Sequence, residues 1–157
     1  MTTNYKNRMV WFSLSVFILS LVVIFDVEAA SSKPSLKGKL CWKLEAEGGT
    51  GNITVVVTKV ASNVYTLNGI STNDSSSAIA GATNGNAVIK GNKVFITLNE
   101  SHIDEYATSI STYSLILNKS TLNGIGKVIG LDYNYSHSDF EPMVHTDLTV
   151  SLINCSK

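Results

Sequence analysis

The densest group of reactive side chains lies between positions 132 and 145 of the 157-residue chain. The segment 132–141, DYNYSHSDFE, combines aromatic rings, carboxylates and an imidazole, and His145 follows it. Such side chains at the mouth of a rigid scaffold can close over a ligand. The same composition also suits an ordinary polar loop whose rings pack on the rim, so both interpretations remain open.

Metal binding is a further possibility for this segment. His137, Asp139, Glu141 and His145 occupy alternate positions, which share one face of an extended chain. Their spacing matches no established site, and the segment lacks the glycine and the twelfth-position glutamate of a calcium loop. We therefore predict neither a metal site nor a cofactor.

Catalysis would require a base, and His102 is the other candidate because Asp104 and Glu105 follow it closely. Nearness in sequence also fits three solvated side chains. The chain contains no Gly-x-Ser-x-Gly nucleophile motif. We predict a noncatalytic protein and keep an unrecognised enzyme as the third alternative.

The N-terminus has the pattern of an export signal. Lys6 and Arg8 precede an apolar run from Met9 to Phe25, and Val27-Glu28-Ala29 resembles a cleavage site. The apolar run is shorter than the roughly 20 residues that a spanning helix needs, although an uncleaved anchor is the alternative. We predict a signal peptide at 1–29, a linker at 30–37 and one domain at 38–157, located outside the cell or in the periplasm.

Charge and cysteine content narrow the partners and the compartment. The full chain has a net charge of zero, and its single arginine, Arg8, lies in the predicted signal peptide. Nucleic acids and anionic membranes attract cationic faces, so neither is an expected partner. In an oxidising compartment Cys41 and Cys155 are expected to form a disulfide, and the alternative is two free thiols or a pair of metal ligands without further cysteines.

From Gly38 onward the hydrophobic pattern has a period of two, and turn residues recur at strand-length intervals. The segment Asn52–Val60 is the clearest case, since Ile53, Val55 and Val57 share one face. Asn84-Gly85 could split the fourth strand, but the side-chain parity continues across it. We predict eight strands, at 38–46, 52–60, 63–71, 77–90, 93–99, 107–117, 121–131 and 143–155.

The same parity predicts the orientation of the terminal strands. In the first strand Leu40, Trp42 and Leu44 point inward and Cys41 points outward. In the last strand the predicted inward residues are Val144, Leu148, Val150 and Leu152, and the predicted outward residues are His145, Asp147 and Cys155. A disulfide between outward cysteines requires neighbouring terminal strands, which favours an all-β, antiparallel up-and-down barrel over a sandwich.

Loop lengths predict one closed end and one open end. Tight turns are expected at Ala61-Ser62, Gly91-Asn92 and Asn118-Lys119. Longer loops are expected near 47–51, 72–76, 100–106 and 132–142. In a meander the two sets alternate, so the longer loops share one end of the barrel.

This pattern resembles the calycins, the group of lipocalin-type and avidin-type barrels. The likeness is architectural, and the family's Gly-x-Trp motif corresponds to the longer run Gly38-Lys39-Leu40-Cys41-Trp42. The resemblance implies that a small, largely apolar molecule binds inside the barrel and that Trp42 plugs the closed end. It also makes biotin an unexpected ligand, because avidin-like pockets contain several tryptophans.

We therefore predict an exported barrel that binds a small apolar or amphipathic ligand at its open end. The alternative is a structural or protein-interaction module with a filled barrel, whose contact patch would lie around Val56, Phe95 and Ile116. The candidate ligand-binding residues are Tyr65, Tyr113 and Leu115 inside the barrel and Tyr106, Tyr133, Tyr135 and Phe140 at its mouth.

Overall fold

A computed structural model describes residues 33–47, 49–73, 80–103, 107–136 and 138–155. The predicted signal peptide, 1–29, and the first residues of the predicted linker lie outside this part of the chain. Within it, no helix has the length and apolarity that crossing a membrane requires.

The eight predicted strands are confirmed, including the unbroken fourth strand across Asn84-Gly85. Their hydrogen-bonded order follows the sequence, and the sheet closes into a barrel. The strands are β1 (Gly38–Ala46), β2 (Gly49–Ala61), β3 (Val64–Asn73), β4 (Ala80–Lys90), β5 (Lys93–Ile103), β6 (Ala107–Asn118), β7 (Gly124–Asn134) and β8 (Asp139–Ile153).

The barrel closes where β1 pairs with β8, with Trp42 opposite Leu152 and Leu44 opposite Val150. Cys41 lies opposite Ile153, and a disulfide joins it to Cys155 with the two Cα atoms 5.3 Å apart. That separation is within the usual range for disulfides. The predicted cysteine pairing is confirmed, and closure leaves no strand edge unpaired.

Alternating side chains point into the interior and form the hydrophobic core. Trp42 is fully buried, and its indole N–H donates a hydrogen bond of 3.0 Å to the carbonyl oxygen of Leu122 in the β6–β7 loop. Leu36, from the segment before β1, is also buried against the core. These three residues close the end of the barrel that the β2–β3, β4–β5 and β6–β7 loops share.

The loops differ in length from several predictions. The Gly91-Asn92 turn is confirmed, whereas the β2–β3 turn lies one residue later, at Ser62-Asn63, where Asn63 has a φ of 60°. The predicted tight turn at Asn118-Lys119 is a loop of residues 119–123, and the predicted long loop near 47–51 is a connection of residues 47–48. The long-loop prediction is wrong because Gly49 and Gly51 lie within β2, and the tight-turn prediction is wrong because residues 121–123 belong to the loop and not to β7.

The predicted long loop at 132–142 is also wrong, because most of it is strand. Asp132 pairs with Glu141 and Tyr133 with Phe140, which leaves only residues 135–138 as the connection. On β5 the strand likewise continues past the predicted end, through Glu100 to Ile103. These extensions move ionisable side chains from loops into the barrel wall.

The predicted parity of β8 is correct only in its second half. Gly126 pairs with Leu148 but Val128 pairs with His145, so residues 146 and 147 oppose Lys127 alone. An extra residue of this kind is a β-bulge, and it reverses the orientation of every side chain before it. Val144 is therefore outward and 57% exposed, and His145 faces inward, opposite to the prediction.

The disulfide should contribute strongly to stability, because it closes a loop with a sequence separation of 114. In the chain-entropy model such a loop is worth about 4–5 kcal/mol. We expect reduction to lower the free energy of unfolding by that amount, measured by urea titration of Trp42 fluorescence with and without a reducing agent. The Cys41→Ser/Cys155→Ser variant is the control, and equal midpoints for oxidised and reduced protein would contradict the prediction.

Candidate functional site

The strand register arranges the inward side chains in rows around the barrel. Polar rows lie towards the open end, which the β1–β2, β3–β4, β5–β6 and β7–β8 loops share, and apolar rows lie beneath them. From the open end inward, the rows contain His102, Ser109, Asp132 and Glu141; then Thr83, Glu100, Ser111 and Met143; then Leu98, Tyr113, Val128 and His145; and then Ile96, Leu115 and Leu148.

The polar rows surround a cavity of about 450 Å³ at the open end. Its floor is apolar, formed by Leu44, Ile53, Val128 and Leu148, and its wall includes Glu100 and the polar side chains around it. Sites for small molecules commonly have volumes of roughly 300–1,000 Å³. We call this space the open-end cavity.

Glu100 is a hydrogen-bonded carboxylate in the wall of the cavity. Its Oε1 accepts a hydrogen bond of 2.5 Å from the Ser71 hydroxyl, while its Oε2 is buried without a hydrogen-bond partner among the described residues. Thr83 is the cross-strand neighbour of Glu100, and its hydroxyl is also buried without a hydrogen-bond partner among the described residues. A buried polar atom left unpaired ordinarily costs about 1–3 kcal/mol.

A glycine makes room for the Glu100 carboxylate. A Cβ atom at Gly81 would lie 2.7 Å from the Ser71 hydroxyl and 2.9 Å from Glu100 Oε1. Any larger residue at position 81 would therefore displace the hydrogen-bonded pair. The backbone of β4 thus helps to fix the position of Glu100.

Burial and neighbouring carboxylates raise the pKa values of two groups in the cavity. Burial, followed by the charge of Glu100 and a side-chain hydrogen bond to that carboxylate, raises the pKa of the Tyr113 hydroxyl above its usual value, so the group remains a neutral donor. Burial, followed by the charge of Glu141, raises the pKa of the Asp132 carboxyl, while His102 opposes the shift. Both shifts disfavour additional negative charge at this end of the barrel.

A second cavity, of about 350 Å³, lies at the closed end. Leu36, Tyr65 and Leu122 line it together with three lysines, Lys37, Lys59 and Lys119. Tyr65 therefore faces inward as predicted, but it lies in this second cavity and not with the residues of the open-end cavity.

The other two predicted interior residues occupy different depths. Tyr113 lines the open-end cavity, between the polar wall and the apolar floor. Leu115 is buried one row deeper, in the core cluster, and does not line the cavity. Of the three interior candidates, the structure thus brings only Tyr113 to the site.

The predicted aromatic residues of the mouth lie on the outer side of the rim. Tyr133 and Phe140 are cross-strand neighbours with ring centroids 4.7 Å apart, and Tyr133 and Tyr135 are 5.8 Å apart. Phe140 is 64% exposed, and the Tyr135 hydroxyl is hydrogen-bonded to that of Thr108. None of the three lines the cavity, and Tyr106 lies outside the described residues.

Sequence reasoning missed Glu100, Asp132 and His145 as interior residues. For Glu100 a signal was present, since Val94, Ile96 and Leu98 establish an inward parity that continues to positions 100 and 102. Asp132 follows the parity of Val128 in the same way. His145 had no such signal, because its orientation depends on the bulge in β8.

The residues considered for catalysis and for metal binding lie only partly in this cavity. His102 lines the cavity together with Glu100 and Asp132, whereas Asp104, Glu105 and His137 lie outside the described residues. Within the described ranges, no three histidine, cysteine, aspartate or glutamate side chains form a group that could hold a metal ion. Comparisons with protein-family models, with curated proteins and with solved structures gave no match.

The raised pKa of Asp132 has a consequence for stability. A folded-state pKa above the unfolded value means that ionisation of this group opposes folding, a penalty absent below pH 3.8 and fully present above the raised pKa. We expect Asp132→Asn to raise the melting temperature at pH 7 and to lose this advantage as the pH falls towards 3.8. Calorimetric scans across pH would measure the difference.

The control for this experiment is Asp139→Asn, which removes an exposed carboxylate from the same rim. The assignment of the penalty to Asp132 would be contradicted if Asp132→Asn raised the melting temperature by the same amount at all pH values. It would also be contradicted if Asp139→Asn raised the melting temperature as much as Asp132→Asn does.

Proposed function

We propose that this protein is an exported, noncatalytic barrel that binds a small amphipathic ligand in its open-end cavity. The observation that carries the proposal is the polarity of that cavity, which has an apolar floor and a wall of carboxylate, imidazole and hydroxyl groups. Of the ligands expected from the sequence, apolar or amphipathic, this wall favours the amphipathic ones. A purely apolar molecule would leave the polar groups desolvated and unpaired.

The architecture supports the same proposal. A closed antiparallel barrel with one open end, and with Trp42 against the closed end, is the arrangement in which calycins hold small molecules. The Cys41–Cys155 disulfide fits an oxidising compartment outside the cytoplasm. We propose both that the protein is exported and that it belongs to the calycin group.

The order of residues in the uppermost row supports a noncatalytic role. A hydrolytic triad places the imidazole between the hydroxyl and the carboxylate. Here Ser109 lies between His102 and Asp132, which are two strands, or roughly 10 Å, apart. The row therefore supplies polar contacts more readily than an activated nucleophile.

A protein-interaction module is the second candidate, favoured by an outward apolar row. Phe95 and Ile116 are cross-strand neighbours and belong to it, whereas Val56 lies apart, between Lys39 and Asn68. The row crosses five strands and consists of Val64, Val88, Phe95, Ile116 and Ile125. Self-association that Ile116→Lys abolishes, measured by sedimentation, would favour this candidate.

The ligand proposal can be tested with N-phenyl-1-naphthylamine, a neutral amphipathic dye whose fluorescence rises in apolar surroundings. We expect saturable binding to the protein expressed from its full sequence. Ser109→Phe should weaken binding at least about tenfold, because the ring would occupy the cavity beside His102 and Asp132. Fluorescence titration gives both affinities.

Ser101→Phe is the matched control, since Ser101 is exposed on the outer face of the same region and faces away from the cavity. Equal binding by Ser109→Phe and the unmodified protein would place the dye elsewhere and contradict the proposed site. Absence of binding would contradict the proposed function for ligands of this class.

A further inference from the structure

The open-end cavity has an uneven distribution of formal charge. Its lining includes the carboxylates of Glu47, Glu100 and Asp132 and the imidazoles of His102 and His145, and among the described residues that line it there is no lysine or arginine. The lysines that face a cavity lie instead at the closed end of the barrel. A ligand entering from the open end therefore meets a wall whose fixed charges are negative.

One unsatisfied acceptor belongs to the lining of this cavity, and a second lies on the neighbouring strand. Glu100 Oε2 and the hydroxyl oxygen of Thr83 are buried without hydrogen-bond partners among the described residues, and the two residues are direct cross-strand neighbours. Thr83 is only 3% exposed, and its side chain faces the barrel interior. Thr83 does not line the cavity, so Glu100 Oε2 is the position where a donor from a ligand would complete a hydrogen bond.

The unsatisfied acceptor on Glu100 and the negative charges of the cavity lining together limit the head group that a ligand can carry. An anionic head group would be repelled by Glu100 and Asp132 and would offer no donor to Glu100 Oε2. A hard metal ion requires several oxygen ligands at short range, and the described residues contain no suitable cluster. A protonated amine carries one positive charge and up to three N–H donors, which matches both features.

We infer that the ligand of the open-end cavity carries a protonated amine, which Glu100 binds directly. This inference rests on the proposed function. The amine lies against the Glu100 row, and the apolar part of the ligand extends towards Val128 and Leu148 on the cavity floor. The ligand class is thus a small amphipathic amine.

The raised pKa of Asp132 is consistent with this assignment. Its causes are burial and the neighbouring carboxylates, so a bound cation would favour the ionised form of the group. Asp132 lies one row nearer the open end than Glu100, where it attracts the amine on entry.

The test compares octylamine, 1-octanol and octanoate at pH 7, which share an apolar chain and differ in the charge of the head group. Displacement of N-phenyl-1-naphthylamine, or isothermal titration where the dye does not bind, gives the affinities. We expect octylamine to bind about tenfold or more tightly than 1-octanol, and octanoate to bind least, because a hydrogen bond to a charged group is stronger than a neutral one. Glu100→Gln should reduce the preference for octylamine to about threefold or less.

Glu45→Gln is the control variant, because it removes a carboxylate from the outer face, where Glu45 is paired with Lys43. It should retain the preference of the unmodified protein. Should Glu100→Gln fail to fold, Asp132→Asn replaces it, with the expectation of a reduced preference for octylamine.

The outcomes separate the two proposals. If 1-octanol or octanoate binds as tightly as octylamine, the inference of an amine is wrong while ligand binding stands. A preference that Glu100→Gln leaves unchanged overturns the role of Glu100. If no member of the series binds, the proposed function fails and the inference fails with it.

Discussion

The pairing of β1 with β8 is the constraint on which the rest of this structure depends. Without it the sheet would have two open edges, and the rows of inward side chains would not surround a common interior. Antiparallel pairing beside Leu152 and the Cys41–Cys155 disulfide hold the two ends of the chain together. Trp42 lies on the inner face of β1 and donates a hydrogen bond to Leu122 at the closed end. The strand β1 therefore helps both to close the barrel wall and to cover one end of the barrel.

Closure gives the interior a gradient of polarity along the barrel axis. Deep rows of leucine, isoleucine and valine account for the buried core, while the rows near the open end contain Glu100, Asp132 and His102. A completely apolar interior could pack solidly, but ionisable groups on several facing strands resist close packing because they retain water or a partner. The cavity and the carboxylates that line it therefore have a common origin in the placement of these residues, and this placement is the basis for proposing an amphipathic amine as the ligand.

Much of the fold was accessible from the sequence because its physical signals are local. Period-two alternation gave all eight strands, and the cysteine positions indicated the neighbouring ends. The site was harder to predict. Glu100 was missed because the strand was ended where polar residues began, although the parity of Val94 and Leu98 continued through it. The orientation of His145 was not accessible, since the bulge opposite Lys127 depends on the register between two strands.

The most direct measurement is the methyl signal of Met143, the single methionine among the described residues, which lies in the wall of the open-end cavity. With carbon-13 in the methionine methyl groups, octylamine can be titrated while this signal is followed by nuclear magnetic resonance. Binding inside the cavity predicts a saturable shift of the Met143 methyl that Ser109→Phe suppresses. An unchanged Met143 signal at concentrations where calorimetry shows the amine bound would place the ligand elsewhere and contradict the site described here.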